Sequence, residues 1–280
     1  MAPSIRIGVV APGTRIEPAL AERLKAFATD SFLDRAPEIV VHPQCFLSAG
    51  HFAGDDEARL KAFVEYANDP SLDAIWFARG GYGACRIAEA ALGQLNEHAR
   101  KKTYLGYSDG GVLLAGLYKN RIGTVAHGPM PVDLTRAGGE GAVKRALAWL
   151  IERAPESVEL GVMFDARTAA FNVMILQSIL GTPLAPDLSG HVLMLEEVGE
   201  YLYRIDRALF HITSSANVRS VKGIKLGRVS DVPENDKPFG ASEEEIVRYW
   251  CKKAGIAYLG RADIGHDVEN KVVPFGAGKQ

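Results

Sequence analysis

Apolar residues fall into short β-branched bursts separated by longer stretches with helical spacing. Ile5 to Val10 is one burst, and it ends at Ala11-Pro12-Gly13. That pattern predicts a strand followed by a turn. Glu17 to Phe32 then carries Leu20, Leu24 and Phe27 on one helical face. The alternation continues with a strand over Glu38–His42 and an amphipathic helix over Asp56–Ala67. A strand over Ala74–Ala78 runs through a glycine-rich turn into a helix ending at Leu92. A strand over Tyr104–Tyr107 leads to a helix reaching Tyr118, then a strand over Thr124–Ala126 and a helix over Ala142–Arg153. Strands and helices alternating at this spacing predict a doubly wound, mostly parallel sheet. In such sheets the active site lies beyond the carboxyl ends of the strands.

The pattern changes after about residue 155. It predicts strands over Val158–Phe164, Val192–Leu195, much of Val218–Val229, Ile256–Leu259 and Lys271–Pro274. Between them it predicts helices over Asn172–Leu180 and Tyr203–Ile212, and a capped helix from Ser242 to Lys253. Val232 to Gly240 reads as a surface loop. The expectation is an α/β protein of two parts. Residues 1–150 form the doubly wound N-terminal domain, and residues 151–280 form a smaller mixed α+β domain.

Chemistry enters at Gly106-Tyr107-Ser108-Asp109-Gly110, which has the G-x-S-x-G pattern between a predicted strand and a predicted helix. A sharp turn there pushes the serine out of the backbone envelope. The following helix aims its first N–H groups at the place where an oxyanion would form. An ordinary turn with a solvated serine fits the same five residues. A nucleophile needs a base, an orienting acid and a second oxyanion donor.

Composition narrows the field. The chain has 280 residues, 47% hydrophobic and 24% charged, with a net charge of −2. Nothing in that balance calls for nucleic acid or an anionic membrane as partner. No apolar run approaches the ~18 residues of a membrane span. The first residues lack the apolar core of a signal peptide. Cys45, Cys85 and Cys251 are an odd set without C-x-x-C spacing, which argues against a disulfide framework and fits a reducing compartment. H-E-x-x-H is absent and no His/Cys/Asp cluster has metal-ligand spacing. The expectation is a cytoplasmic protein that uses no metal or other cofactor.

Among seven histidines, His127 (in H-G-P-M) and His266 (after Asp263-Ile264-Gly265) follow predicted strands at glycine turns. His191 reads as a strand-start residue. Glu196, in Leu195-Glu196-Glu197, ends an apolar run, so its charge should be paired. An ion pair with Arg204 or Arg207 would also satisfy it. Arg79-Gly80-Gly81-Tyr82-Gly83 lacks the Lys-Ser/Thr of a P-loop. Its better use is a backbone amide facing Ser108, since the two turns end neighbouring predicted strands. Arg79 itself is a candidate partner for a substrate carboxylate, or for an interdomain salt bridge.

Taken together, R-G-G-Y-G at 79–83, G-Y-S-D at 106–109, L-E-E-V-G-E at 195–200 with Y-R-I-D-R at 203–207, and Gly265-His266 resemble the LD-carboxypeptidase family of serine peptidases. That family includes the muramoyltetrapeptide carboxypeptidases and the microcin C self-immunity peptidases. Val9-Val10-Ala11-Pro12-Gly13 and His127-Gly128-Pro129-Met130 extend the resemblance over nearly the whole chain. The resemblance implies an active site in the cleft between the two domains, with Ser108 as nucleophile, Glu196 as orienting acid and His266 as base. It implies an oxyanion hole from the Asp109 and Gly81 amides, and substrate contacts drawn from Arg79, Tyr82 and Asn172. It implies a homodimer that removes the terminal D-alanine from murein tetrapeptides, small peptides of cell-wall recycling. One departure stands out. Where many members have Gly-Gly-Asn, this chain has Ala170-Phe171-Asn172, which is expected to fill space left open in relatives and to alter substrate preference. The compact chain leaves little room for the extended loops of the microcin branch. A generic α/β-hydrolase esterase shares the G-x-S-x-G pattern but would need an H-G-G-G-type segment, which is absent. A non-catalytic muropeptide-binding protein is the remaining alternative.

Overall fold

A computed structural model describes residues 4–163 and 166–276 of the chain. Five of the six strands of the first sheet are parallel: β1 (Arg6–Val10), β2 (Glu38–Val41), β3 (Ala74–Phe77), β4 (Thr103–Gly106) and β5 (Thr124–His127), in the order β2-β1-β3-β4-β5. β3 and β4 are buried at every position, which is why β3 reads as an unbroken apolar run and not as an alternation. Helices α1 (Pro18–Phe32) and α5 (Gly139–Glu152) cover one face, where Leu24 and Leu147 share a core with Val9 and Trp76. Helices α2 (Asp56–Asn68), α3 (Ala84–Leu92) and α4 (Gly111–Lys119) cover the other, where Phe63, Ala88 and Leu114 share a core with Phe77 and Tyr104.

The second sheet holds β6 (Arg167–Asn172), β7 (His191–Val198), β8 (Gly223–Ser230) and β9 (Tyr258–Arg261), in that order. Every pairing in it is parallel, and α6 (Val173–Ile179), α7 (Leu202–Ser214) and α8 (Glu243–Ala254) alternate with its strands. The mixed α+β expectation is corrected here: the second part is also a regular β-α repeat. The strand expected at Val158–Phe164 is replaced by short 3-10 turns at Pro155–Ser157 and Leu160–Met163, with one bridge from Val158 to Val272. Phe164 lies outside the described residues. Pro155 and Gly161 break any longer pairing there.

Two connections bind the halves. β10 (Val273–Pro274) returns from the C-terminal part and pairs antiparallel with β5 in the first sheet, so a division near residue 150 leaves this last strand on the N-terminal side. Helix α4 is buried at every residue from Gly111 to Leu117. A helix buried all round is an internal one. Its leucines belong to the same core as Leu176 of α6, Leu193 of β7 and Leu209 of α7. At about 2 kcal/mol for each fully buried leucine, Leu113, Leu114 and Leu117 fix the start of α4 firmly between the two sheets.

Candidate active site

The carboxyl ends of β3, β4 and β5 carry the glycine turn, the serine turn and the segment from Gly128 to Arg136. The far ends of β7 and β9 bring Glu196 and His266 to the same cleft. A cavity of about 290 Å³ opens there, lined by Arg79, Gly80, Gly81, Ser108, Arg136 and His266, with Tyr107 and Met130 behind them. A second cavity of about 280 Å³, lined by Thr14, Arg15, Glu17 and Leu20, shares Arg79, Val132 and Thr135 with the first.

Ser108 has φ +56°, a left-handed conformation that costs a non-glycine residue ~1–2 kcal/mol. This is the strained strand-to-helix turn that G-x-S-x-G implies. Two neighbours hold it. A Cβ on Gly80 would lie 2.8 Å from both Cβ and Oγ of Ser108 and 3.7 Å from the Asp109 amide nitrogen, so the glycine turn rests directly on the serine turn. The Asp109 carboxylate accepts the Ala84 N–H at 2.9 Å, tying the start of α3 to the same turn. Asp109 is buried, and burial raises its pKa against the backbone hydrogen bonds that lower it. Gly81 has φ +110°, and an added Cβ would fall 2.2 Å from Thr14 Oγ1. Only glycine fits there.

Glu196 is fully buried, and its Oε2 lies 2.5 Å from His266 Nδ1. Its carboxylate therefore meets His266, while Arg204 pairs with Glu200 at 3.3 Å. Burial lowers the pKa of His266, but the charge and hydrogen bond of Glu196 outweigh it, and the net shift is upward. The β7–β8 register shifts between Leu195–Leu226 and Glu197–Val229, so the extra residue lies on β8, opposite Glu196. The close approach depends on Gly227: a Cβ there would lie 3.0 Å from Glu196 Cβ and 2.7 Å from Ile264. His127 is buried away from the cavity, its Nε2 3.3 Å from Asn270 Oδ1, and burial lowers its pKa to about 4. Of the two histidines at strand-end turns, His266 is the one that lines the cavity with Ser108.

Several supporting residues carry no motif of their own. Asn270 Oδ1 accepts the Gly265 N–H at 3.2 Å. Arg228 of β8 pairs with Asp263 at 2.6 Å and with Asp267, bracketing the His266 loop. Arg136 donates to the His266 carbonyl. Tyr107 packs at a tilt against His266 with ring centroids 4.9 Å apart and donates its hydroxyl to Asp133 at 2.9 Å. Basic residues that rigidify the turn before a candidate base, as Arg136 and Arg228 do, could have been suspected only from their contacts.

The remaining expected contacts separate. Arg79 lines both cavities, and its one hydrogen bond among the described residues runs to the Arg15 carbonyl at 3.4 Å. Tyr82 is half exposed and lies against Phe52, centroids 6.1 Å apart, outside the lining of the serine cavity. Asn172 is buried; its Oδ1 accepts the Ile175 N–H at 3.1 Å and its Nδ2 donates to Glu197 Oε1 at 2.7 Å. Both ends of its amide are thus committed to the protein. Ala170 and Phe171 are buried in the hydrophobic cores, Phe171 against Phe275 with centroids 5.1 Å apart. They fill interior space, not the cleft.

Family models match the same two parts. Residues 7–128 match the LD-carboxypeptidase N-terminal domain and residues 166–279 its C-terminal domain. A putative carboxypeptidase of Synechocystis sp. is 30% identical, covering 98% of this chain and 90% of the relative. A murein tetrapeptide carboxypeptidase of Pseudomonas aeruginosa is 26% identical over 97% of this chain and 91% of its own. The crystal structure of muramoyltetrapeptide carboxypeptidase from Oxalobacter formigenes has the same fold, with a TM-score of 0.78 at 24% identity over 96% of this chain and 93% of that one. The class so defined is a serine carboxypeptidase. The chain belongs to the LD-carboxypeptidase family.

Proposed function

We propose that this enzyme hydrolyses the amide bond between the L-configured centre of a murein peptide's third residue and its terminal D-alanine, through an acyl-enzyme on Ser108. The observation that carries the reading is His266, whose Nδ1 is taken by buried Glu196 while the ring borders the cavity that holds Ser108. In this reading His266 Nε2 accepts the Ser108 proton as Oγ attacks the carbonyl carbon. Glu196 fixes the tautomer and stabilises the imidazolium. The Asp109 and Gly81 amides stabilise the tetrahedral oxyanion, a contribution of roughly 3 kcal/mol per donor. The C–N bond then breaks, His266 protonates the departing D-alanine nitrogen, and water hydrolyses the ester by the same route.

The substrate is a small peptide returned during cell-wall recycling, and the enzyme acts on it in the cytoplasm as a homodimer. No described helix is long and apolar enough to cross a membrane, and Cys45, Cys85 and Cys251 are all unpaired thiols. The test is incubation with L-Ala-D-Glu-meso-diaminopimelate-D-Ala and mass-spectrometric assay of free D-alanine. Release by the native enzyme and none by Ser108→Ala is expected. Turnover of a p-nitrophenyl ester without D-alanine release would mean a generic esterase instead.

A further inference from the structure

We infer that Arg136 is the residue that recognises the free carboxylate of the departing D-alanine, and so makes the enzyme an exopeptidase. The inference rests on the carboxypeptidase reading and names the group that reading leaves open. Two arginines line the serine cavity, Arg79 and Arg136. Covalent geometry chooses between them. In a C-terminal amino acid the carboxylate carbon is two bonds from the scissile nitrogen, through N–Cα and Cα–C bonds of about 1.5 Å each. His266 must protonate that same nitrogen. The cation that holds the carboxylate therefore has to stand beside the base.

Arg136 does so by construction. It donates from Nη1 to the backbone carbonyl of His266 itself. Its Nε lies 3.4 Å from Asp133 Oδ1. Asp133 is buried and further held by the Tyr107 hydroxyl at 2.9 Å and the Met130 N–H at 2.8 Å. The guanidinium is thus held at Nε and at Nη1, while its Nη2 has no hydrogen-bond partner among the described residues, and the side chain lines the cavity and is about one-third exposed. A guanidinium held at two nitrogens and free at the third is placed to give one carboxylate oxygen a charge-assisted hydrogen bond from Nη2. Arg79 hangs from the carbonyl of Arg15 at the junction with the neighbouring cavity, which suits it to the acyl side of a longer peptide.

The test compares the tetrapeptide with its C-terminal D-alaninamide on the native enzyme, Arg136→Gln and Arg136→Lys. The native enzyme should strongly prefer the free acid. In Arg136→Gln, kcat/KM for the acid should fall about 100-fold, the loss of a charge-assisted contact, and at least about ten times further than for the amide. Arg136→Lys should keep part of the acid preference. Equal losses on acid and amide, which leave the acid-to-amide ratio unchanged, would show that Arg136 only braces His266; that result overturns the inference while leaving the parent activity intact. A native enzyme that releases no D-alanine overturns both.

Discussion

His266 Nδ1 and Glu196 Oε2 stand 2.5 Å apart, the glutamate fully buried and the histidine nearly so. The two residues are 70 positions apart in the chain, and they meet because β7 and β9 end at the same edge of the second sheet. The pair engages Nδ1 and leaves Nε2 as the nitrogen that the proposed mechanism uses as base. Glu196→Gln keeps the shape but offers the wrong hydrogen-bond character, and should lower kcat by about four orders of magnitude, as the corresponding change does in other triads. A variant within tenfold of the native rate would remove Glu196 from the mechanism.

The same pair sets a pH dependence. The net pKa of His266 is raised, so its stabilising effect on the fold is fully present below the ordinary histidine value of about 6.5 and is lost as pH rises through the raised folded value. Activity runs the opposite way, because the base must be neutral: kcat/KM should climb through that raised value on its acid limb. In Glu196→Gln the two largest raising influences are lost, and the limb should move to lower pH. Histidine NMR titration checks the assignment independently. His266 should titrate above the ordinary value, while His127 stays neutral down to about 4. A raised His127 and a depressed His266 would reverse their roles.

Ser108 should show a trade of stability for function. Its φ of +56° is strained for any side chain, and glycine relieves the strain at the cost of a freer unfolded chain. Ser108→Gly and Ser108→Ala should both abolish turnover, but the glycine variant should be the more stable by about 1 kcal/mol. Chemical denaturation of the two variants measures the difference. An alanine variant equal to or more stable than the glycine variant would mean that the turn relaxes without the hydroxyl.

Gly80 acts by being absent as a side chain. Gly80→Ala would bring a methyl to 2.8 Å from Ser108 Oγ, and overpacking of this kind costs about 1–3 kcal/mol. Because α4 anchors the serine turn from below, the displacement should fall on the hydroxyl and the Asp109 amide. The expected outcome is a folded protein whose kcat is down at least about 100-fold, since a misplacement near 1 Å is enough for that. A crystal structure of the variant with Ser108 unmoved and full activity would refute the idea.

What the sequence could reveal followed from how local each signal is. The G-Y-S-D-G turn was legible because strand, turn and helix signals are adjacent in the chain. Glu196 and His266 were legible as polar residues at the ends of apolar runs. Arg136 was not, since the His266 carbonyl it holds is 130 residues away and nothing around position 136 points there. Asn270 and Arg228 were hidden for the same reason. The second sheet was misread as mixed because β8 begins at Gly223, where Val218 to Val221 also looked like strand, and because β9 is short and half exposed. β10 is two residues long, and its antiparallel return to β5 is a tertiary event without a local signature. One consequence bears on the esterase alternative. The C-terminal half is a regular parallel β-α repeat, so the alternation of strands and helices does not by itself count against an α/β-hydrolase. The two domain matches, not the alternation pattern, separate the families.

Asn172 offers the sharpest contrast between a structural and a binding role. It sits opposite Glu196 in the β6–β7 register, close to the chemistry, yet its amide caps α6 and meets Glu197. Glu197 is itself buried; burial raises its pKa, and hydrogen bonds from Val198, Asn172 and Met174 work against that rise. Removing the amide leaves the first turn of α6 uncapped and Glu197 short of one donor, while the Val198 and Met174 N–H bonds remain. Asn172→Ala should therefore cost about 1–2 kcal/mol, lowering Tm by a few degrees for a chain of this size. Asn172→Asp would place a second carboxylate on Glu197 and should cost more. The effect on KM should be less than about threefold in Asn172→Ala, because no part of the side chain borders the serine cavity. A KM raised about tenfold with stability intact would instead make Asn172 a substrate contact, reached only when a bound peptide draws the amide away from Glu197.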